Sequence, residues 1–99
     1  MSAHTPEPWI ALPFGDCAYE VMAPDGTVIA VIDGAPDESA VLEANARLIA
    51  AAPELLAALR EAVTSLEYAV AALQAPERCA MRENIADARA AIAKAEGRA

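Results

Sequence analysis

The chain contains 99 residues, of which 57% are hydrophobic, and it carries a formal net charge of −8 at pH 7. Its length predicts one domain with a modest core, because 27 of the hydrophobic residues are alanines, whose methyl groups bury little surface. The charge argues against direct binding of DNA or RNA, since residues 1–46 hold eight acids and no lysine or arginine. An acidic half of this kind provides either solubility or attraction to a basic partner protein.

Residues 1–36 predict a small antiparallel sheet. Three β-like segments occur at Trp9–Leu12, Ala18–Ala23 and Thr27–Ile32. The turn Pro24–Gly26 combines a fixed φ, an Asx side chain and a glycine, which predicts a hairpin from Ala18 to Ile32. The strand Val28–Ile32 is apolar at every position, so we expect helices to cover one face and a second subunit to cover the other.

Residues 37–99 predict three helices. Asp37 or Ser39 is expected to cap the first helix, which ends near Ala52. Pro53 is expected to open the second helix, where its missing N–H is not needed. Large apolar residues then alternate at spacings of three and four, which is typical of helices packed lengthwise: Leu56, Leu59, Val63, Leu66, Val70 and Leu73.

The third predicted helix runs from Pro76 to Gly97. The same spacing recurs there at Met81, Ile85, Ala88, Ile92 and Ala95. The short connection around Gln74–Pro76 predicts that the second and third helices form an antiparallel hairpin. Alanines on the remaining sides of the helices extend the apolar surface beyond the side that the helix pairing uses. This extra apolar surface predicts a homo-oligomer.

The predicted fold class is therefore α+β, in a single domain that spans residues 1–99. A small antiparallel β-hairpin or three-stranded sheet occupies residues 1–36. A short helix and a long antiparallel helical hairpin occupy residues 37–99.

A cytoplasmic location in a host bacterial cell is predicted, with no membrane partner. No apolar run approaches the roughly 20 residues of a membrane span, and Met1–Pro8 lacks the features of a leader. Cys17 and Cys79 are widely separated, so we expect them to be reduced and to lie in the core.

The sequence favours a protein without enzymatic activity, cofactor or metal. Its one histidine, His4, lies in a proline-rich lead, and no glycine-rich phosphate loop is present. Asp33, Asp37 and Glu38 lack the alternation of a calcium loop and fit helix capping better.

Three arginines are candidate ligand-binding residues. Arg78, Arg82 and Arg89 lie at spacings of four and seven on one side of the third predicted helix. Two guanidinium groups in such a stripe can hold a pyrophosphate while an aromatic side chain such as Trp9 or Tyr68 stacks on a base. The alternatives are a solvated face that neighbouring acids screen, and a tryptophan that anchors the proline-rich lead.

Two residues of the first predicted helix complete the candidate ligand set. Asn45 is the one uncharged amide in an alanine-rich stretch, and Arg47 follows it by two positions. Asn45 either faces a ligand or hydrogen-bonds to a partner helix and fixes its register. Arg47 forms a favourable i, i+4 pair with Glu43.

Three segments resemble a group of small phage and prophage accessory proteins. His4-Thr5-Pro6-Glu7-Pro8-Trp9 is similar to the start of those proteins, although Glu7 stands where they usually have glycine. The central motif of the group matches Ala44–Leu56, and the ending is similar at Ala88–Lys94. Among small accessory proteins of this architecture are counter-defence proteins such as the Thoeris anti-defence sponges, which sequester cyclic nucleotide immune signals.

The resemblance implies an accessory phage or prophage protein. By analogy with that architecture, the leading hypothesis is a counter-defence protein without catalytic activity that sequesters a cyclic nucleotide signal as an oligomer. Because the net charge repels an anion, this function requires Arg47 or the arginine stripe at the pocket. The alternative is an inhibitor of the anti-CRISPR type, whose acidic first half occupies a basic nucleic-acid-binding surface on a host defence protein. A structural module with no defence role is a third hypothesis.

Overall fold

The computed structural model describes residues 4–98 and contains three strands and two long helices. The strands are β1 (Ile10–Pro13), β2 (Ala18–Met22) and β3 (Val28–Asp33). A single 3₁₀ turn (Pro36–Glu38) leads into α1 (Ser39–Val70), and α2 (Ala75–Ala95) follows. The predicted α+β class is confirmed. The chain groups into two compact units, an N-terminal unit that ends at Glu54 and a C-terminal unit that begins at Leu55.

The sheet is antiparallel with strand order β1-β2-β3, and the predicted hairpin is confirmed. In the turn, the N–H of Ala23 donates to the carbonyl of Thr27 at 2.8 Å. Gly26 has a φ of +90°, a conformation that favours glycine. The N–H of Thr27 donates to Oδ1 of Asp25 at 3.0 Å, which is the Asx-turn bond that the sequence predicts.

Thr27 lowers the pKa of the Asp25 carboxyl below its ordinary value, first through its side chain and then through its backbone N–H. Both bonds favour the charged form of the carboxyl. The stabilising effect of this turn is therefore present above the ordinary aspartate pKa and is lost as the pH falls through the lowered one.

The core of the N-terminal unit lies between one face of the sheet and the first part of α1. Val21 of β2 is completely buried, and Leu42 and Ala46 are buried on α1. The hydroxyl of Tyr19, two residues before Val21 on the same face of β2, donates to Oε2 of Glu43 at 3.4 Å. The face of the sheet that carries Tyr19 and Val21 is therefore the inner face.

The start of the helical part differs in detail from the sequence-based expectation. The carboxylate of Glu38, rather than a side chain of Asp37 or Ser39, accepts the backbone N–H of Ala35 at 2.9 Å. This is the glutamate half of a capping box. It stabilises the turn that begins the helical segment.

The predicted break between the first and second helices is wrong, because α1 continues through Pro53. A proline inside a helix removes one hydrogen bond and crowds the carbonyl four residues earlier, here that of Ile49. Alanines and leucines with high helix propensity lie on both sides of it. The ring of Pro53 is buried, so its apolar contacts offset part of the loss.

Replacing Pro53 with alanine is expected to stabilise the protein by about 1 kcal/mol. An interior proline costs about 3 kcal/mol relative to alanine, and the lost burial of two methylenes returns about 1.6 kcal/mol of that. Urea unfolding followed by far-ultraviolet circular dichroism measures the change, with Glu54→Ala at the exposed neighbouring position as the control. A destabilised Pro53→Ala variant would show that the buried ring contributes more than the missing bond.

The C-terminal unit is an antiparallel helical hairpin, as predicted. Its core consists of Val63 and Val70 of α1 with Ile85 and Ile92 of α2. Packed against this core are Leu56, Leu59, Leu73, Met81 and Ala88. The leucine and valine spacing of α1 and the methionine and isoleucine spacing of α2 thus meet, which confirms the pairing that the sequence predicts.

Candidate functional site

The face of the sheet that points away from α1, which we call the outer face, is an exposed apolar surface. Between β1 and β2, the strand register places Ile10 opposite Met22 and Leu12 opposite Glu20. Between β2 and β3, it places Val31 opposite Glu20. Met22 also pairs with Val28, next to a bulge between Val21 and Met22. The exposed fractions are 51% for Ile10, 45% for Leu12, 47% for Val28 and 51% for Val31. A contiguous patch of this kind marks an interaction surface more often than isolated exposed residues do.

A carboxylate occupies the middle of the outer face. Glu20 lies on the central strand, with an apolar side chain opposite it on each neighbouring strand. Asp33 ends β3 on the same face, opposite Ala18. A lysine or arginine of a partner can cover the apolar side chains with its methylene stem while its charged end pairs with Glu20.

The charge of the N-terminal unit reinforces this arrangement. The first 54 residues hold nine acids and one base, whereas residues 55–99 hold six of each. The net charge of −8 therefore belongs entirely to the unit that carries the sheet. An apolar patch with an acidic centre and acidic surroundings complements a basic protein surface.

The candidate residues Trp9, Asn45 and Arg47 lie in the N-terminal unit. The indole N–H of Trp9 donates to the carbonyl of Thr5 at 3.1 Å, and its ring meets the ring of His4 edge-on at 5.7 Å. Trp9 thus anchors the proline-rich lead. Asn45 is exposed, and Arg47 forms its i, i+4 ion pair with Glu43.

The three arginines of α2 do not converge on one point. The guanidinium of Arg78 folds back and donates to the carbonyl of Leu73 at 2.9 Å, where it satisfies a backbone group near the end of α1. Arg89 pairs with Glu67 of α1, and Arg82 lines a shallow cavity of about 200 Å³ that Glu67 also lines. Glu67 of α1 therefore supplies the carboxylate that lies near both Arg82 and Arg89.

The structure contains a second group of arginines that the sequence pattern does not indicate. Arg60 and Arg98 line a cavity of about 250 Å³ together with Arg89. Glu96 forms ion pairs with both Arg60 and Arg98. Because Arg60 and Glu96 are 36 residues apart, no local pattern indicates this cluster. Each of its guanidinium groups already has a carboxylate partner, which weakens its attraction for an anion.

Cysteine and metal chemistry add little to these surfaces. Cys17 is half-buried and unpaired within residues 4–98, whereas Cys79, which was expected in the core, is exposed. Among the described residues, no group of three histidine, cysteine, aspartate or glutamate side chains can hold a metal ion. No helix in that part of the chain is both long enough and apolar enough to span a bilayer.

The full chain, residues 1–99, matches a family model described as Salmonella phage P22 protein Y8K6. The chain belongs to this family. Comparisons with curated proteins and with solved structures found no match. Membership in the P22 Y8K6 family confirms that the chain is a small phage protein, as its resemblance to phage accessory proteins implies.

Proposed function

We propose that this member of the P22 Y8K6 family is a non-enzymatic counter-defence protein that binds a basic surface of a host protein. The exposed apolar outer face centred on Glu20 is the single observation that carries the proposal. The partner surface is one that normally binds nucleic acid, because such surfaces present clustered lysines and arginines. Occupation of that surface by the sheet would block nucleic-acid binding, as an inhibitor of the anti-CRISPR type does.

Charge also distinguishes a basic partner from a second copy at this face. Two outer faces brought together would oppose acids with acids, since the unit holds nine acids and one base. Like charges in a partly desolvated contact oppose association, whereas opposite charges favour it and speed the encounter. The outer face therefore suits a basic partner better than itself.

Sequestration of a cyclic nucleotide is the second candidate function, and the cavity lined by Arg60, Arg89 and Arg98 favours it. Three guanidinium groups there face two carboxylates, Glu67 and Glu96. An anionic ligand would have to compete with these ion pairs. This requirement, together with the overall negative charge, places nucleotide binding behind protein binding.

Capture from host lysate on immobilised protein tests the first proposal through one charge reversal on the outer face. Glu20→Lys is expected to reduce retention of a basic host protein at least about tenfold, because the like charge repels it. Glu83→Lys, on an exposed position of α2, makes the same change in net charge and should retain the protein. Rising salt should release the partner from the wild type, since exposed charge contacts are screened.

A second measurement shows what the captured protein does. The partner is purified, and its affinity for nucleic acid is measured with added wild type, Glu20→Lys or Glu83→Lys protein. Competition by the wild type and Glu83→Lys, but not by Glu20→Lys, supports the proposal. Equal capture by all three proteins contradicts it, and a nucleotide released from the purified phage protein on denaturation would favour the second candidate.

A further inference from the structure

The two edges of the sheet differ in how open they are to another strand. β1 and β3 are the edge strands, and no strand lies beyond either of them in the part of the chain that the structure describes. β1 has four residues and ends at Pro13, which has no N–H to donate to another strand. β3 has six residues and contains neither proline nor lysine, the residues that commonly protect an edge. The edge of β3 is therefore the more open of the two.

The backbone of β3 bonds to β2 only at alternate residues. The N–H of Gly34 donates to the carbonyl of Cys17 at 3.1 Å, and this pair continues the register of β2 and β3. Because hydrogen-bonded pairs alternate with non-bonded pairs along an antiparallel ladder, Asp33 and Val31 belong to non-bonded pairs. Their N–H and carbonyl groups therefore point away from β2, toward the open edge.

The ladder between β1 and β2 leads to the same assignment. The N–H of Phe14 donates to the carbonyl of Ala18 at 2.9 Å, in the register of that ladder. By the same alternation, the backbone of Glu20, two residues further along β2, bonds to β1. Val31 lies opposite Glu20 on the other side of β2, so the backbone of Val31 is left for a strand beyond β3.

The two residues with free edge groups also place their side chains on the outer face. Val31 and Asp33 are both exposed there. In a strand paired with β3, the side chains directly opposite these residues lie on the outer face as well. A lysine opposite Asp33 forms a cross-strand charge pair. A lysine opposite Val31 covers the valine with its stem, and its ammonium points toward Glu20, which lies two strand spacings or about 10 Å away.

We propose that an extended basic segment of the host protein pairs antiparallel with β3 as a fourth strand. This inference rests on the proposed function and specifies how the basic partner is held. Backbone hydrogen bonds to Val31 and Asp33 attach the segment, and lysines or arginines at alternate positions match the charge of the outer face. Antiparallel pairing continues the pattern of the sheet and is slightly more stable per residue than parallel pairing.

Charge complementarity selects a basic segment over a second copy of β3. The first 54 residues hold nine acids and one base, so two such units brought edge to edge repel each other. A strand with alternate lysines instead brings positive charge beside Asp33 and Glu20. The occupant of the edge is therefore a strand of the partner.

Amide hydrogen exchange of the full-length protein, measured by NMR, tests the pairing directly. The probe is a short synthetic peptide in which lysine alternates with valine. Peptide at saturation should slow exchange of the Val31 and Asp33 amides at least about tenfold, because each N–H becomes a donor to the added strand. The Ala11 amide points to the edge of β1 and is the matched control, so its rate should change less than about twofold.

Two methylated versions of the peptide separate backbone pairing from attraction by charge alone. In the proposed arrangement the lysines lie opposite Val31 and Asp33, so methylation of their backbone nitrogens removes the N–H groups that face β3. Methylation of the valine nitrogens removes N–H groups that face solvent. The two peptides have the same mass and charge. By calorimetry, the peptide methylated at its lysines should bind at least about tenfold more weakly than the other.

A substitution in β3 removes a hydrogen bond from the side of the protein. Val31→Pro lacks the N–H that points to the open edge, and an edge strand tolerates proline at such a position. It should weaken binding of the unmethylated peptide about tenfold. Val31→Thr keeps the N–H and the strand propensity, so its affinity should stay within about threefold of the wild type. Circular dichroism checks the fold of each variant, and the methylated peptides test the inference with the wild type alone.

Three outcomes overturn the inference: no difference in binding between the two methylated peptides, unchanged exchange at Val31 and Asp33, or slowed exchange at Ala11 instead. None of them decides the proposed function, which capture and competition with Glu20→Lys test separately. Loss of partner capture by Glu20→Lys, combined with equal binding of the methylated peptides, would keep the basic partner on the outer face and remove the strand pairing.

Discussion

Replacing Val21 with aspartate is expected to unfold the N-terminal unit. Val21 is completely buried on the inner face of the central strand, and it lies opposite Ala11 and Ala30. An ionised carboxyl there would lose its hydration without gaining a partner, so the free energy of unfolding should fall by about 4 kcal/mol. Urea unfolding followed by the fluorescence of Trp9, which belongs to the same unit, measures the change.

Val28→Asp is the matched control for this prediction. Val28 is a valine of the same sheet, but it is 47% exposed on the outer face. The same substitution there should change the free energy of unfolding by less than about 1 kcal/mol. Similar losses in the two variants would contradict the assignment of the inner and outer faces.

Truncating Ile85 to alanine should destabilise the helical hairpin by about 3 kcal/mol. Ile85 belongs to the buried core between α1 and α2, and its loss removes apolar contacts and leaves a cavity. Far-ultraviolet circular dichroism during urea unfolding reports on the hairpin. Leu55→Ala removes a similar side chain from a position that is 54% exposed, and it should change the free energy of unfolding by less than about 0.5 kcal/mol. A loss of less than about 1 kcal/mol in Ile85→Ala would show that this core contributes little.

The β-hairpin and the helical hairpin were predictable because their signals are local. Pro24–Gly26 supplies the turn chemistry within three residues, and the structure places a positive φ at Gly26. The alternating spacing of apolar residues fixes which sides of α1 and α2 meet. Each of these patterns is repeated or unambiguous within a short window of sequence.

The continuity of α1 was not predictable from Pro53 alone. A proline after an alanine-rich helix fits the first turn of a new helix better than the interior of a continuous one, where it loses a hydrogen bond and crowds a carbonyl, so the sequence favours a break. Helix propensity on both sides and burial of the proline ring decide in favour of one helix here. The burial of the ring depends on the packed structure, so the sequence alone does not indicate it.

The candidate surfaces depend on long-range pairing, which explains why the sequence did not locate them. Every position from Val28 to Ile32 is apolar, so no alternation shows which side chains face outward. Only the register with β2 places Val31 beside Glu20. Likewise, Arg89 meets Glu67 across the helical hairpin, 22 residues away in the sequence.

The confinement of the whole −8 charge to the first 54 residues has a kinetic consequence for the proposed partner. A cation-rich protein is drawn from a distance toward that unit alone, so chance collisions with the electrically neutral unit are seldom productive. Ionic strength in the infected cell then governs the association rate of the two molecules. The apolar contact around Glu20 governs the dissociation rate.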